Sequence, residues 1–169
     1  MPIFRVIILL LVVTCGVFAQ QSLKAGAPAP DFNAESIDGK PLSLGQLQGN
    51  VVVLTFWSTR CSICHSEMPK LNDVAKRYLD KNVVFLALTM ENQGRIEPFL
   101  RKNPSILTVV PNSFGVVLKY ADMDRSGNIN ISFPAYFVID KRGAIAARSD
   151  GWDKAGSLDS QIQRLLTMD

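Results

Sequence analysis

Hydrophobic residues fall along this chain in short runs whose period changes repeatedly, and those changes outline its elements. Val51 to Trp57 is an unbroken β-branched and aromatic run, the pattern of a strand buried on both faces in the middle of an α/β sheet. Met68, Leu71, Val74, Ala75, Tyr78 and Leu79 then recur at helical spacing, which predicts a helix from about Ser62 to Asp80 with one face on that sheet. Val83 to Met90 reads as a second buried strand, Arg95 to Lys102 as a short helix, and Leu107 to Val110 as a third strand closed by Pro111. Ser113 to Tyr120 is again helical in pattern, and Asp122 to Asn130 is a polar loop. The chain resumes as a strand from Ala135 to Asp140, turns at Lys141-Arg-Gly143 and pairs back through Ala144 to Arg148. It closes with a helix from about Ala155 to Leu166. Upstream, short alternating pieces around Phe32 and Pro41 flank Asp38-Gly39, which predicts a β-hairpin leading into the core. Strand–helix alternation followed by a hairpin implies an α/β fold: a central mixed β-sheet flanked by helices on both faces, with an N-terminal β-hairpin extension.

Composition narrows this to one unit. With 169 residues, 47% hydrophobic and 20% charged, the chain suits a single compact domain over 25–169. The net charge of +3 is spread over mixed Lys, Arg, Asp and Glu rather than gathered in a basic block, so nucleic acid is not an expected partner. Residues 1–19 differ from the rest: Arg5 is the only charge before an apolar run from Val6 to Val13, and Val17-Phe18-Ala19 offers suitable residues at a cleavage site. This is the pattern of a secretory signal peptide. A retained membrane anchor and lipid attachment at Cys15 are the other readings of the segment. Export places the mature chain in the periplasm or on the outer face of the cytoplasmic membrane.

Without that segment two of the three cysteines are left, Cys61 and Cys64. In an oxidising compartment such a pair means a disulfide, either structural or reactive. A loop of about four residues restrains the unfolded chain by only about 2 kcal/mol, against about 4.7 for a loop of a hundred. A weak staple is better explained as a reactive pair. Cys61 falls at the start of the helix predicted from Ser62, where unpaired N–H groups and the helix dipole favour a thiolate. Cys64, one turn on, is placed to resolve a mixed disulfide formed at Cys61. Glu67 follows at the same spacing. It reads either as a partly buried carboxylate of raised pKa exchanging a proton with Cys64, or as a solvated glutamate favouring the helix dipole. Pro69 removes a backbone donor from the same helix. Pro134 stands just before the Ala135 strand; a cis bond there would leave the backbone groups of Phe133 free beside the cysteines, and an ordinary trans proline opening a strand is the alternative.

Several segments together carry a family resemblance: Ala27-Pro-Ala-Pro-Asp31-Phe32, Asp38-Gly39-Lys40, Val51 to Trp57, Cys61-Ser-Ile-Cys64-His-Ser-Glu67-Met-Pro69, and Phe133-Pro134-Ala-Tyr-Phe-Val-Ile-Asp140-Lys-Arg-Gly143. In that order the chain resembles the TlpA/ResA-like branch of the thioredoxin superfamily. The resemblance implies a thioredoxin-like fold, extracytoplasmic disulfide exchange on protein thiols, a cis Pro134 facing the cysteines and a catalytic part for Glu67. It also implies a membrane thiol as electron donor and a lean toward reduction, of apocytochrome c or other envelope cysteines, with the net direction left open. No cofactor is expected, and the chain is expected to act as a monomer. Two departures stand out. Arg60 occupies the place of the family's usual tryptophan, with a charge suited to lowering the Cys61 pKa. The loop from Asp122 to Asn130 is longer and more polar than usual.

Rival readings of the same residues remain. Cys61-Ser-Ile-Cys64-His65 is a c-type haem attachment motif with His65 as axial ligand, although it stands between a buried strand and an amphipathic helix. Zinc needs four ligands, and one Cys-x-x-Cys with a single histidine offers too few. Asp122 to Ile129 matches the opening of an EF-hand loop, but Phe133 holds its twelfth position and Pro134 forbids the exit helix. A thiol peroxidase shares the fold; its proline and threonine ahead of the reactive cysteine are missing here, with Ser58 three residues before Cys61.

Overall fold

A computed structural model describes residues 23–124 and 126–168. The segment 1–19 and Cys15, read above as a targeting sequence, lie outside the described residues. β1 (Asn33–Glu35) and β2 (Pro41–Ser43) form the predicted hairpin, paired antiparallel with Asn33 opposite Ser43. Its turn passes through Gly39 at φ +76°, the left-handed region in which glycine carries no side-chain penalty.

β3 (Val51–Phe56) is buried at every position because it is central: β4 (Val83–Leu88) pairs parallel on one side and β8 (Ala135–Ile139) antiparallel on the other. β5 (Thr108–Val110) continues the sheet parallel to β4, and β9 (Ile145–Asp150) closes it antiparallel to β8, giving the order β5-β4-β3-β8-β9. Alternation along β3 splits the core. Val51, Val53 and Trp57 pack with Leu71 and Val74 of α1 (Ser62–Lys76), Ile96 of α2 (Gln93–Lys102) and Leu158 and Ile162 of α4 (Ala155–Thr167). Val52, Leu54 and Phe56 pack on the opposite face with Phe32 and with Val117 and Tyr120 of α3 (Phe114–Tyr120). The sheet is therefore mixed, with helices on both faces.

Two expectations need correction. α1 ends at Lys76 rather than near Asp80, because tight bonds take over: Tyr78 N–H reaches the Ala75 carbonyl at 2.9 Å and Lys81 N–H the Tyr78 carbonyl at 3.1 Å. That change of pitch keeps Tyr78 buried but turns Leu79 outward to 68% exposure. The stretch from Asp122 to Asn130 is not a bare loop. It folds as a small hairpin of β6 (Asp122–Met123) and β7 (Ile129–Asn130) around Asp124, whose Oδ1 accepts the N–H groups of Ser126 and Asn128 at 2.8 Å.

Candidate active site

β3 delivers the chain to the end of the sheet, where Trp57 N–H still bonds the Leu88 carbonyl at 3.0 Å. Ser58 to Arg60 then turn the chain, and Cys61 caps α1 in an extended conformation. Its Sγ accepts the Cys64 N–H at 3.1 Å, so the first turn of the helix directs a donor at that sulfur. Cys61 and Cys64 form a disulfide, with Cα atoms 5.2 Å apart. Cys61 is half-buried, whereas Cys64 faces the core at 1% exposure. One sulfur of the pair can be approached and the other cannot.

Pro134 is buried at the mouth of β8, and the Phe133–Pro134 peptide is cis. The Phe133 carbonyl oxygen stands 3.5 Å from Cys61 Sγ. Two segments 72 residues apart in the chain thus meet at the accessible sulfur. Arg60 is exposed on the loop just before it.

Glu67 is buried on the core side of α1. Its Oε1 accepts Lys70 Nζ at 2.8 Å, and its Oε2 accepts the N–H groups of Lys154 and Ala155 at 3.1 Å each. Lys154 caps α4 without a side-chain acceptor of its own, so the Glu67 carboxylate takes that part from another helix. Burial pushes its carboxyl up, but the Lys70 ammonium and the α4 amides outweigh burial and hold it below the usual carboxylate range. Of the two sequence readings, the raised pKa runs opposite to this direction, and a solvated glutamate does not match a carboxylate buried to 1% exposure. Burial without a cation and two amides as partners would have produced a raised value.

One neighbour escaped the sequence reading. Glu91, just past β4, accepts Thr59 N–H on Oε2 and Thr59 Oγ1 on Oε1, both at 2.7 Å, and pairs with Arg95 at 3.1 Å. Burial raises its pKa, yet the Thr59 bonds and the Arg95 charge hold it below the usual range. Its signal was a carboxylate just past the carboxyl end of a buried parallel strand, where open α/β sheets gather functional groups.

Both sulfurs of Cys61-Ser-Ile-Cys64-His65 are engaged in the disulfide, and His65 Nε2 lies 2.8 Å from the Thr59 carbonyl oxygen. Among the described residues, no group of three or more His, Cys, Asp or Glu could hold a metal ion. Asp122 of the EF-hand-like segment is bound instead to Arg148 by two contacts of 2.8 and 2.6 Å.

Comparison with known proteins agrees with this chemistry. The model of the AhpC/TSA family matches residues 25–148. The thiol-disulfide oxidoreductase ResA of Bacillus thuringiensis subsp. konkukian is 27% identical over 174 residues, covering 96% of this chain and 95% of that one. The ResA of Oceanobacillus iheyensis is 36% identical over 101 residues, 53% of each chain. Among solved structures, a thiol:disulfide interchange protein of the thioredoxin family from Chlorobium tepidum TLS superposes with a TM-score of 0.71 at 24% identity. It covers 83% of this chain and 96% of its own. A thiol:disulfide interchange protein from Bacteroides sp. also reaches a TM-score of 0.71, at 20% identity, with 86% and 92% covered. At that identity these two structures speak for the fold, which is thioredoxin-like.

Proposed function

Because the chain belongs to the AhpC/TSA family and is a thiol-disulfide oxidoreductase of the ResA type, we propose that it works outside the cytoplasm as a reductase of protein disulfides. In this reading the Cys61 thiolate attacks a substrate disulfide, forming a mixed disulfide while the first substrate sulfur leaves and takes up a proton. Cys64, deprotonated, then attacks the Cys61 sulfur. The Cys61–Cys64 bond forms, the second substrate thiolate is released, and two electrons have passed to the substrate. The observation that carries the assignment is the asymmetry of the pair: Cys61 caps α1 beside the Phe133 carbonyl, and Cys64 is out of reach in the core.

Glu67 acts here as a fixed anion rather than as a neutral acid. Held ionised by Lys70 and the α4 amides, it sets a buried negative charge one turn from Cys64 on the same helix. Pro134 shapes the edge against which the substrate backbone lies. The signal-peptide pattern of residues 1–19 supports export, and the short apolar run admits retention at the membrane, where a membrane thiol supplies electrons. The substrates are protein thiols and disulfides, and the chain acts as a monomer.

The redox potential of the Cys61–Cys64 couple tests the direction, read by thiol alkylation across glutathione and dithiothreitol buffers. A value near about −270 mV, that of thioredoxin, is expected; one near about −120 mV would make the protein an oxidant. The N-terminus of protein recovered from its native envelope tests the export reading, with a start after Ala19 expected and an intact segment in the cytoplasm contradicting it.

A further inference from the structure

His65 is the only histidine of the chain, and disulfide exchange between Cys61 and Cys64 gives it no part. Its ring lies against Phe99 of α2, with centroids 4.9 Å apart, and Nε2 is 2.8 Å from the Thr59 carbonyl oxygen. A carbonyl only accepts, so Nε2 carries the hydrogen in this contact. Glu91 holds Thr59 from the other side, accepting both its N–H and its hydroxyl at 2.7 Å. All three polar groups of Thr59 are therefore bonded to side chains, one from α1 and one from the segment after β4. Thr59 stands two residues before the sulfur-bearing cap, and the Cys61 N–H bonds the Ser58 carbonyl at 3.1 Å. The backbone of His65 completes the link, its N–H reaching the Cys61 carbonyl at 3.2 Å.

We propose that His65 is a positioning residue for Cys61: with Glu91 it clamps Thr59 and fixes the loop from which Cys61 caps α1. The proposal rests on the thiol-exchange function. A thiolate is disfavoured by a carbonyl oxygen free to turn toward it and favoured by donors held in place. The His65 Nε2–H ties the Thr59 carbonyl down, and the Glu91 carboxylate, itself held by Arg95 at 3.1 Å, keeps the opposite side of the residue from slipping. The charged groups tied to this loop are Arg60 on it and Glu91 with Arg95 after β4; farther along α1, Glu67 pairs with Lys70, which also meets Asp153.

The rate of Cys61 alkylation by iodoacetamide from pH 4 to 10, in a Cys64→Ser background, reads the effect directly. The exchange rate of the two-cysteine protein with oxidised glutathione accompanies it. His65→Ala is expected to move the alkylation midpoint upward and slow both reactions at pH 7 about threefold or more. His65→Gln, whose amide offers a donor in place of Nε2, recovers most of the loss, and Glu91→Gln slows the reactions in the same direction. Because His65 is exposed, its variants keep the parent's circular dichroism. A His65→Ala midpoint and rate equal to the parent's would overturn the proposal, as would His65→Gln as slow as His65→Ala. A parent protein that exchanges with no disulfide at all contradicts the function itself, which separates the two failures.

Discussion

Replacing Glu67 by Gln removes one negative charge from a buried site while keeping its volume. The carboxylate accepts three hydrogen bonds, from Lys70 at 2.8 Å and from the Lys154 and Ala155 amides at 3.1 Å. An amide oxygen can keep some of the α4 contacts, but its NH2 group faces the Lys70 ammonium as a second donor. Hydrogen bonds to charged groups contribute about 1.5–3 kcal/mol, and the loss of a helix cap costs about 0.5–2 kcal/mol. The Lys70 side chain is 42% exposed, so its share of the pairing is screened and counts little. A loss of about 2 kcal/mol at pH 7 is the net expectation. The pH dependence follows from the sign of the shift. Glu67 titrates in the folded protein below its ordinary value of 4.5, so the folded state favours the ionised form. Its contribution is complete above about 4.5 and disappears as pH falls through the lower folded value. Urea unfolding of the oxidised protein between pH 3 and 7 checks both: Glu67→Gln is less stable at pH 7, and the gap closes toward pH 3. A variant within about 0.5 kcal/mol of the parent at pH 7, or a gap constant with pH, would refute the electrostatic account.

Other perturbations follow from the packing. Among the described residues the buried Tyr136 hydroxyl has no hydrogen-bond partner, so Tyr136→Phe is expected to leave thermal stability unchanged or raise it by up to about 1 kcal/mol; a loss beyond that would reveal a partner. Leu71, fully buried on α1 against the sheet, is expected to cost about 2–5 kcal/mol as Ala in denaturant titration, with the fold retained. Asp122→Ala breaks the contacts to Arg148 at 2.8 and 2.6 Å, yet Asp122 is 57% exposed. Its cost is at most about 1 kcal/mol and shrinks as salt is added, which unfolding at two ionic strengths reads.

What the sequence revealed, and what it hid, follows from how far each interaction reaches. Val51 to Phe56 announced a central strand because burial on both faces leaves no polar alternation, and the pairings with β4 and β8 explain that run. The place of Cys61 was legible because a cap is a local feature, set by the strand before it and the helix after it. The surroundings of Glu67 were not. Lys70 lies within helical reach, but the donors Lys154 and Ala155 are 87 and 88 residues away, and with Lys70 they hold its pKa below the usual range. Glu91 and Thr59 meet across 32 residues through β4, which no spacing rule detects. β6 and β7 are two residues each, too short for alternation to mark them. At Pro134 the pattern located the residue but left the isomer open, since that is decided by the chain around it.

The central claim is that Cys61 attacks and Cys64 resolves. Mass spectrometry of Cys64→Ser and Cys61→Ser proteins, each mixed in reduced form with a disulfide-bridged protein, tests it most directly. Cys64→Ser is predicted to accumulate a mixed disulfide through Cys61 that dithiothreitol releases, while Cys61→Ser accumulates none because Cys64 is 1% exposed. Trapping through Cys64, or no covalent adduct with either variant, would contradict the account.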